Sequence, residues 1–150
     1  MEQMSIEAAT AIANSFLDSY RSAFEGYDTE AILSHFVYPA HFVIDAADVE
    51  RRPVADRDAC RPGVERIQAW HRAIGYRSGR VARLSVSPLS PRMISMQIEF
   101  EIQDARGARL YDFLGVYTLV QGDGGWKIAA ISHNQVPRLL ACVAATGSQA

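Results

Sequence analysis

The sequence predicts an α+β fold, with helices gathered in the N-terminal half and an antiparallel sheet built mainly from the C-terminal half. Three observations carry that reading. Apolar residues Ile6, Ala9, Ala13, Phe16, Leu17, Tyr20 and Phe24 recur at helical spacing, which places them on one stripe of a helix. From Met93 to Gln103 the chain alternates, with Ile94, Met96, Ile98, Phe100 and Ile102 set against Ser95, Gln97, Glu99, Glu101 and Gln103. That is the pattern of a strand with one buried and one wet face. Finally, Leu110–Val120 and Trp126–Asn134 are two β-rich runs separated by Gly122-Asp123-Gly124-Gly125. They read as a long hairpin, because glycine supplies the positive φ of a tight turn. Helices that precede the sheet, without strand–helix alternation, exclude a doubly wound fold.

The elements follow in order. Ser5 caps the first helix, Glu7 suits its first-turn dipole, and Gly26 ends it. Asp28 caps a short second helix through His35 that carries Ile32, Leu33 and Phe36; Pro39 forbids its continuation. His41–Asp45 and Val49–Val54 read as short strands around Ala46-Ala47. Asp56–Arg61 reads as a polar loop, and Pro62 fits the first position of a third helix. That helix presents Val64, Ile67, Trp70, His71 and Ile74 on one side and is closed by Gly75 or Gly79. A strand over Arg80–Ser87 leads to a turn at Pro88-Leu89-Ser90-Pro91, and Asp104-Ala105-Arg106-Gly107 makes the next. The tail from Leu139 to Ala150 is small and polar towards its end and is expected to fray.

At 150 residues the chain predicts one domain, with a core over about 5–136 and a flexible tail over 138–150. A formal net charge of -2 leaves no basic footprint for nucleic acid. The N-terminus lacks a signal peptide's basic head and apolar run, and the longest apolar run, Leu139–Ala145, is too short to span a bilayer. Cys60 and Cys142 form no metal or disulfide framework, which suits plain thiols in a cytoplasmic protein. Four histidines without HxH or HExxH spacing predict no metal, and no motif calls for a cofactor.

Apolar residues occupy both parities of the first hairpin run: Tyr111, Phe113, Tyr117 and Leu119 on one, Leu114, Val116 and Val120 on the other. A strand apolar on both faces must be covered on both, which predicts a homodimer. With two-residue hairpin loops, paired residues have opposite number parity. Ile94, Ile98 and Phe100 then share the core face with Tyr111, Phe113, Tyr117, Trp126, Ile128 and Ala130. The reverse, dimerising face carries Gln97, Glu99, Asp112, Leu114, Val116, Thr118, Lys127, Ile131 and His133.

The element order, together with Phe16-Leu17-Asp18-Ser19-Tyr20, Asp28-Thr29-Glu30-Ala31-Ile32-Leu33, Val43-Ile44-Asp45 and the hairpin from Val116–Val120 to Gly125–Ile128, resembles the nuclear transport factor 2-like, cystatin-like superfamily. The flavour is similar to SnoaL-like and steroid-isomerase-like members. The resemblance covers residues 5 to 136 and is specific for fold only, since this fold hosts isomerases, cyclases, hydrolases, dehydratases and non-enzymes. It implies a cone: a curved sheet with three helices on its concave face, an apolar pocket inside, and dimerisation through the outer sheet face.

Steroid-isomerase-like members use a first-helix tyrosine as oxyanion donor and a carboxylate after the first strand as base. By that resemblance Tyr20 is the polariser and Asp45 the base; the second acidic donor expected near Gly115–Tyr117 is missing. His41, of the same strand parity as Asp45, is the alternative base. A buried carboxylate beside aromatics has a raised pKa and makes a usable base. Phe24, Phe36, Tyr38, Trp70, His71, Met96, Tyr111, Phe113 and Tyr117 are the expected pocket walls, although aromatics on a core face serve equally as packing. Two functions follow. One is a cofactor-free isomerase, lyase, cyclase or hydrolase acting on a small apolar molecule. The other is a non-catalytic ligand-binding or dimeric assembly domain with a vestigial pocket.

Overall fold

A computed structural model of the chain describes residues 3–147. The first helix, α1 (Ile6–Glu25), starts where the Ser5 hydroxyl accepts the Ala8 N–H at 3.1 Å. A short helix, α2 (Thr29–Leu33), starts in the same way at the Asp28 carboxylate. Strands β1 (Phe36–Asp45) and β2 (Val49–Val54) form a hairpin. Helix α3 (Arg57–Ile74) follows, closed by Gly75 at φ 79°. The chain then runs through β3 (Ser78–Ser90), β4 (Met93–Gln103), β5 (Arg109–Gly122) and β6 (Gly125–His133) to α4 (Gln135–Gly147).

All six strands form one sheet in the order β2-β1-β6-β5-β4-β3, antiparallel except for the β1–β6 pair. Helix α1 packs on β3, α2 bridges α1 and α3, and α4 packs on β5, β1 and α3. The inner face of the sheet and the helix stripes supply the core; Leu17, Leu33, Ile94, Met96, Ile98, Leu119, Ile128 and Leu139 lose essentially all solvent contact. The α+β expectation and the curved, mostly antiparallel sheet therefore hold.

Three local expectations need correction. Helix α3 begins five residues before Pro62, because the Asp56 carboxylate accepts the Ala59 N–H at 2.8 Å and caps the helix there. Pro62 removes one helical N–H, but it and Asp58, whose carbonyl loses that partner, are both exposed. Strand β3 continues through Pro88, which pairs with Ile94; β3 is an edge strand, where proline's missing donor faces no ladder. The tail is not frayed over 138–147 but helical, and Leu139 anchors it in the core. Its last expected residues, 148–150, lie outside the described part.

The hairpin turns decide which side chains face inwards. Between β4 and β5 the loop has three residues, with Asp104 and Ala108 joined by a 3.0 Å backbone bond. The pairing then shifts from Gln103–Arg109 to Ile102–Tyr111, so Leu110 is an extra residue. Loop and bulge compensate, and Tyr111, Phe113 and Tyr117 share the inner face with Phe100 and Ile98 as expected. Between β5 and β6 the turn is the expected two-residue one, Gly122 opposite Gly125. Pairing shifts from Leu119–Ile128 to Thr118–Ala130, leaving Ala129 unpaired. Ile131 and His133 are therefore turned to the inner face, opposite Tyr117 and Gly115. They do not belong to the outer face. Leu114 and Val116 do, at 48% and 43% exposure.

Candidate ligand cavity

Between the concave face and α3 lies a cavity of about 210 Å³. Helix α3 contributes Cys60, Gly63, Val64, Ile67 and Trp70 at i, i+3, i+4, i+7 and i+10, one face of a helix. Strand β1 contributes Phe36, Phe42 and Ile44 from its inward parity, β6 Ile131 and His133, and α1 Tyr20 and Phe24. Glu50, Arg52 and Arg66 stand at the rim, all exposed, with Arg52 ion-paired to Glu50.

At the inner end the aromatic packing is tight. Tyr20 and Tyr117 meet edge to face at 6.3 Å between ring centres, and Tyr20 also contacts Phe24 and Phe36. Tyr117 folds its ring over Gly115, where a Cβ would lie 2.6 Å from a ring carbon; the notch exists because the residue is glycine. Neither phenol hydroxyl bonds to another described residue. Burial holds both phenols well above their ordinary pKa, so both remain protonated and can donate.

His133 adds a third polar group. Its Nδ1 accepts the Gln135 backbone N–H at 3.2 Å, and burial pushes its pKa down to about 4. At neutral pH it is uncharged, and with Nδ1 occupied as an acceptor its proton sits on Nε2. His133 is therefore held as a donor, not as a base.

Beyond Tyr20, Phe24, Tyr117 and Gln135, which it shares with the main cavity, lies a smaller chamber of about 40 Å³ reached by His71, Tyr76, Arg21 and Phe113. The Gln135 side-chain amide donates to the Tyr111 hydroxyl at 3.0 Å. The Tyr111 proton must then go to His71 Nε2, 2.7 Å away. His71 is thus the Nδ1–H tautomer, and burial depresses its pKa to about 4.

Of the expected site residues, Tyr20, Phe24, Phe36, Trp70 and Tyr117 line the main cavity, while His71 and Phe113 line the small chamber. Tyr38 is half-buried on the inner parity of β1, its hydroxyl spent on the Leu33 carbonyl at 2.9 Å. Met96 is wholly core. Tyr111 is buried behind the chamber in the His71–Gln135 chain. Asp45 and His41 do not join Tyr20. Both lie on the outward parity of β1 and are exposed, and Asp45 borders an open cleft beside α4 with Arg109, Asp112 and Arg138. Strand alternation is the cause: Phe36, Ala40 and Ile44 face in, so every odd residue of β1 faces out. Sequence reasoning missed His133, Ile131 and Gln135 at the cavity. The bulge at Ala129 leaves no sequence signal, whereas the α3 stripe was readable.

Comparison with known proteins agrees with this architecture. The family profile described as NTF2-like protein (DUF6841) matches residues 7–135. No curated protein matches the chain in sequence. Among solved structures, Aln2 from a Streptomyces species superposes with TM-score 0.69 at 17% identity, covering 93% of this chain and 99% of that one. A cystatin-like protein of unknown function from Nostoc punctiforme gives 0.68 at 10% identity over 89% and 94%. A structure described as a putative aromatic ring hydroxylase from Novosphingobium aromaticivorans gives 0.63 at 14% identity over 89% and 92%. At such identities the likeness is one of fold.

Proposed function

The chain belongs to the NTF2-like family (DUF6841), and on that premise we propose that it binds a small, largely apolar molecule inside its cone. The observation that carries this is the cavity of about 210 Å³, walled by aliphatic and aromatic side chains, with the neutral polar groups of Tyr20, Tyr117 and His133 in its lining. A dry cavity of about 150 Å³ takes up benzene, so this one has room for one ring with substituents or two fused rings. Apolar walls with a few convergent polar groups are the usual form of such sites.

The same geometry argues for binding over proton abstraction. Asp45 and His41, the expected bases, lie outside; His133 presents a proton; and Glu50, the carboxylate at the rim, is tied to Arg52. An isomerase, lyase, cyclase or hydrolase working by general-base catalysis needs a free lone pair in the cavity. Tyr20 and Tyr117 then serve as orienting donors, not as partners of a base.

Gly63 gives the decisive test. It lines the cavity, and a Cβ there meets nothing within 4 Å. Gly63→Phe should fill the cavity while leaving the helix intact. Aromatic and terpenoid compounds screened by thermal shift should stabilise the wild type, by about 2.7 kcal/mol at a hundred times the dissociation constant, and should leave Gly63→Phe unmoved. Equal shifts in both proteins would refute the cavity as the site.

For the assembly, we propose a homodimer through the outer sheet face around Leu114 and Val116, with Met93 and Val43 also exposed there. Apolar patches of this kind mark interfaces. Light scattering at micromolar concentration tests it, a monomer being the contrary result. The proposed location is cytoplasmic. Among the described residues no helix is long and apolar enough to cross a membrane.

A further inference from the structure

Three buried side-chain donors have no partner among the described residues; two of them, His71 at Nδ1 and Arg21 at Nε, belong to side chains that line the small chamber, and the third, Gln68 at Nε2, lies elsewhere. A buried, unpaired donor costs free energy unless something accepts from it. The His71 proton is fixed at Nδ1, because the Gln135–Tyr111 chain occupies Nε2 as an acceptor. Arg21 is anchored by its other two nitrogens, one on the Gly79 carbonyl at 3.0 Å and one on Asp18 at 2.7 Å, which leaves Nε as the donor without a partner. No carboxylate lines the chamber, and its volume of about 40 Å³ is that of one small functional group.

We propose that this chamber is an acceptor site for a two-oxygen group, so that the ligand class is a small aromatic or alicyclic carboxylic acid bound as its carboxylate. The ring occupies the main cavity, and the carboxylate reaches the chamber at the boundary the two spaces share, formed by Tyr20, Phe24, Tyr117 and Gln135. One oxygen accepts from Arg21 Nε–H and the other from His71 Nδ1–H. A charge-assisted bond to arginine makes the site favour a carboxylate over its neutral counterparts. Asp18 already pairs with Arg21 outside the chamber, so the inner edge of the guanidinium offers direction as well as charge. The inference rests on the cavity being the binding site.

The experiment is a matched ligand series on the full chain: 4-bromobenzoate, 4-bromobenzamide and 4-bromotoluene, titrated by calorimetry and then soaked into crystals. The benzoate should bind at least tenfold more tightly than the toluene, with the bromine located in the main cavity by anomalous scattering and the carboxylate within hydrogen-bond reach of both donors. Arg21→Lys, which keeps the charge and moves the donor, and His71→Phe should each erase the preference for the acid while leaving toluene affinity within about threefold. Circular dichroism establishes that the variants are folded, and the wild-type crystal answers independently of them. Toluene binding as tightly as benzoate, or a chamber holding ordered water only beneath a bound ring, overturns the acid proposal and leaves the cavity reading standing. Failure of all three compounds to enter the cavity overturns both.

Discussion

The two long hairpins are built on opposite compromises. Between β4 and β5 a three-residue loop would turn every side chain over, and the extra residue at Leu110 turns them back. Between β5 and β6 the two-residue turn is regular, and the extra residue at Ala129 does the turning. The first pair of deviations cancels and leaves a core; the second stands alone and delivers Ile131 and His133 into the cavity. Strand pairing has a period of two, so one inserted residue changes the destination of everything beyond it. The bulge at Ala129 thus helps to build the cavity, although Ala129 does not line it.

The largest expected effect comes from removing that difference. Deleting Ala129 should return Ile131 and His133 to the outer face and destabilise the fold by about 4 kcal/mol or more, from lost burial and an exposed cavity wall. In any folded remainder, the His133 pKa should rise from about 4 towards the ordinary value near 6.5, read by NMR titration. An unchanged titration would show that the bulge does not place the histidine.

A second prediction concerns pH. His71 is 2% exposed and titrates near 4 when folded, against an ordinary value of 6.5. The unfolded chain therefore takes up the proton first. Stability is complete above about pH 6.5 and falls as the pH drops towards 4, by roughly 3 kcal/mol for this residue. Urea midpoints measured between pH 7 and 4 should show the loss, and His71→Phe should lessen it, leaving the part carried by His133, whose pKa burial also depresses to about 4.

Inner and outer residues of β5 should then separate cleanly. Leu119→Ala, at a site without solvent contact, should cost about 3 kcal/mol. Gly115→Ala forces a methyl against the Tyr117 ring and should cost about 1–2 kcal/mol while displacing the phenol from the cavity; chemical denaturation and Tyr fluorescence report the two parts. Val116→Glu, on the outer face, should change monomer stability by less than about 0.5 kcal/mol and abolish dimerisation in light scattering. A loss of several kcal/mol from Val116→Glu in a monomer would mean that the outer face is covered by the chain itself.

What the sequence made legible follows the same division. Periodicity placed α1, β4 and the body of the β5–β6 hairpin, because those patterns are local and several turns long. The face of Tyr117 was readable as well, since the loop and bulge beside it cancel. Asp45 was misplaced because a turn-forming carboxylate at a strand end carries no sign of which parity the strand buries; the burial of Phe36, Ala40 and Ile44 decides that. The start of α3 was hidden by reading Pro62 as a first-turn residue when Asp56 offered a better cap. His133 depended on one unpaired alanine, and the partners of His71 on Gln135, a residue far along the chain whose role is purely tertiary.

The single parallel pairing has a temporal consequence. Strand β1 joins the rest of the sheet only through β6, with Phe42 opposite Ile131 and Ile44 opposite His133. On the ribosome the β1–β2 hairpin, which supplies part of the cavity wall, must wait without its partner in the sheet until nearly the whole chain has emerged. Contacts so distant in sequence close slowly, and the apolar inner face of β1 stays exposed meanwhile. In pulse-labelling of the refolding protein, amides of β3, β4 and β5 should gain protection before those of β1, and the ligand cavity should be the last part of the molecule to exist.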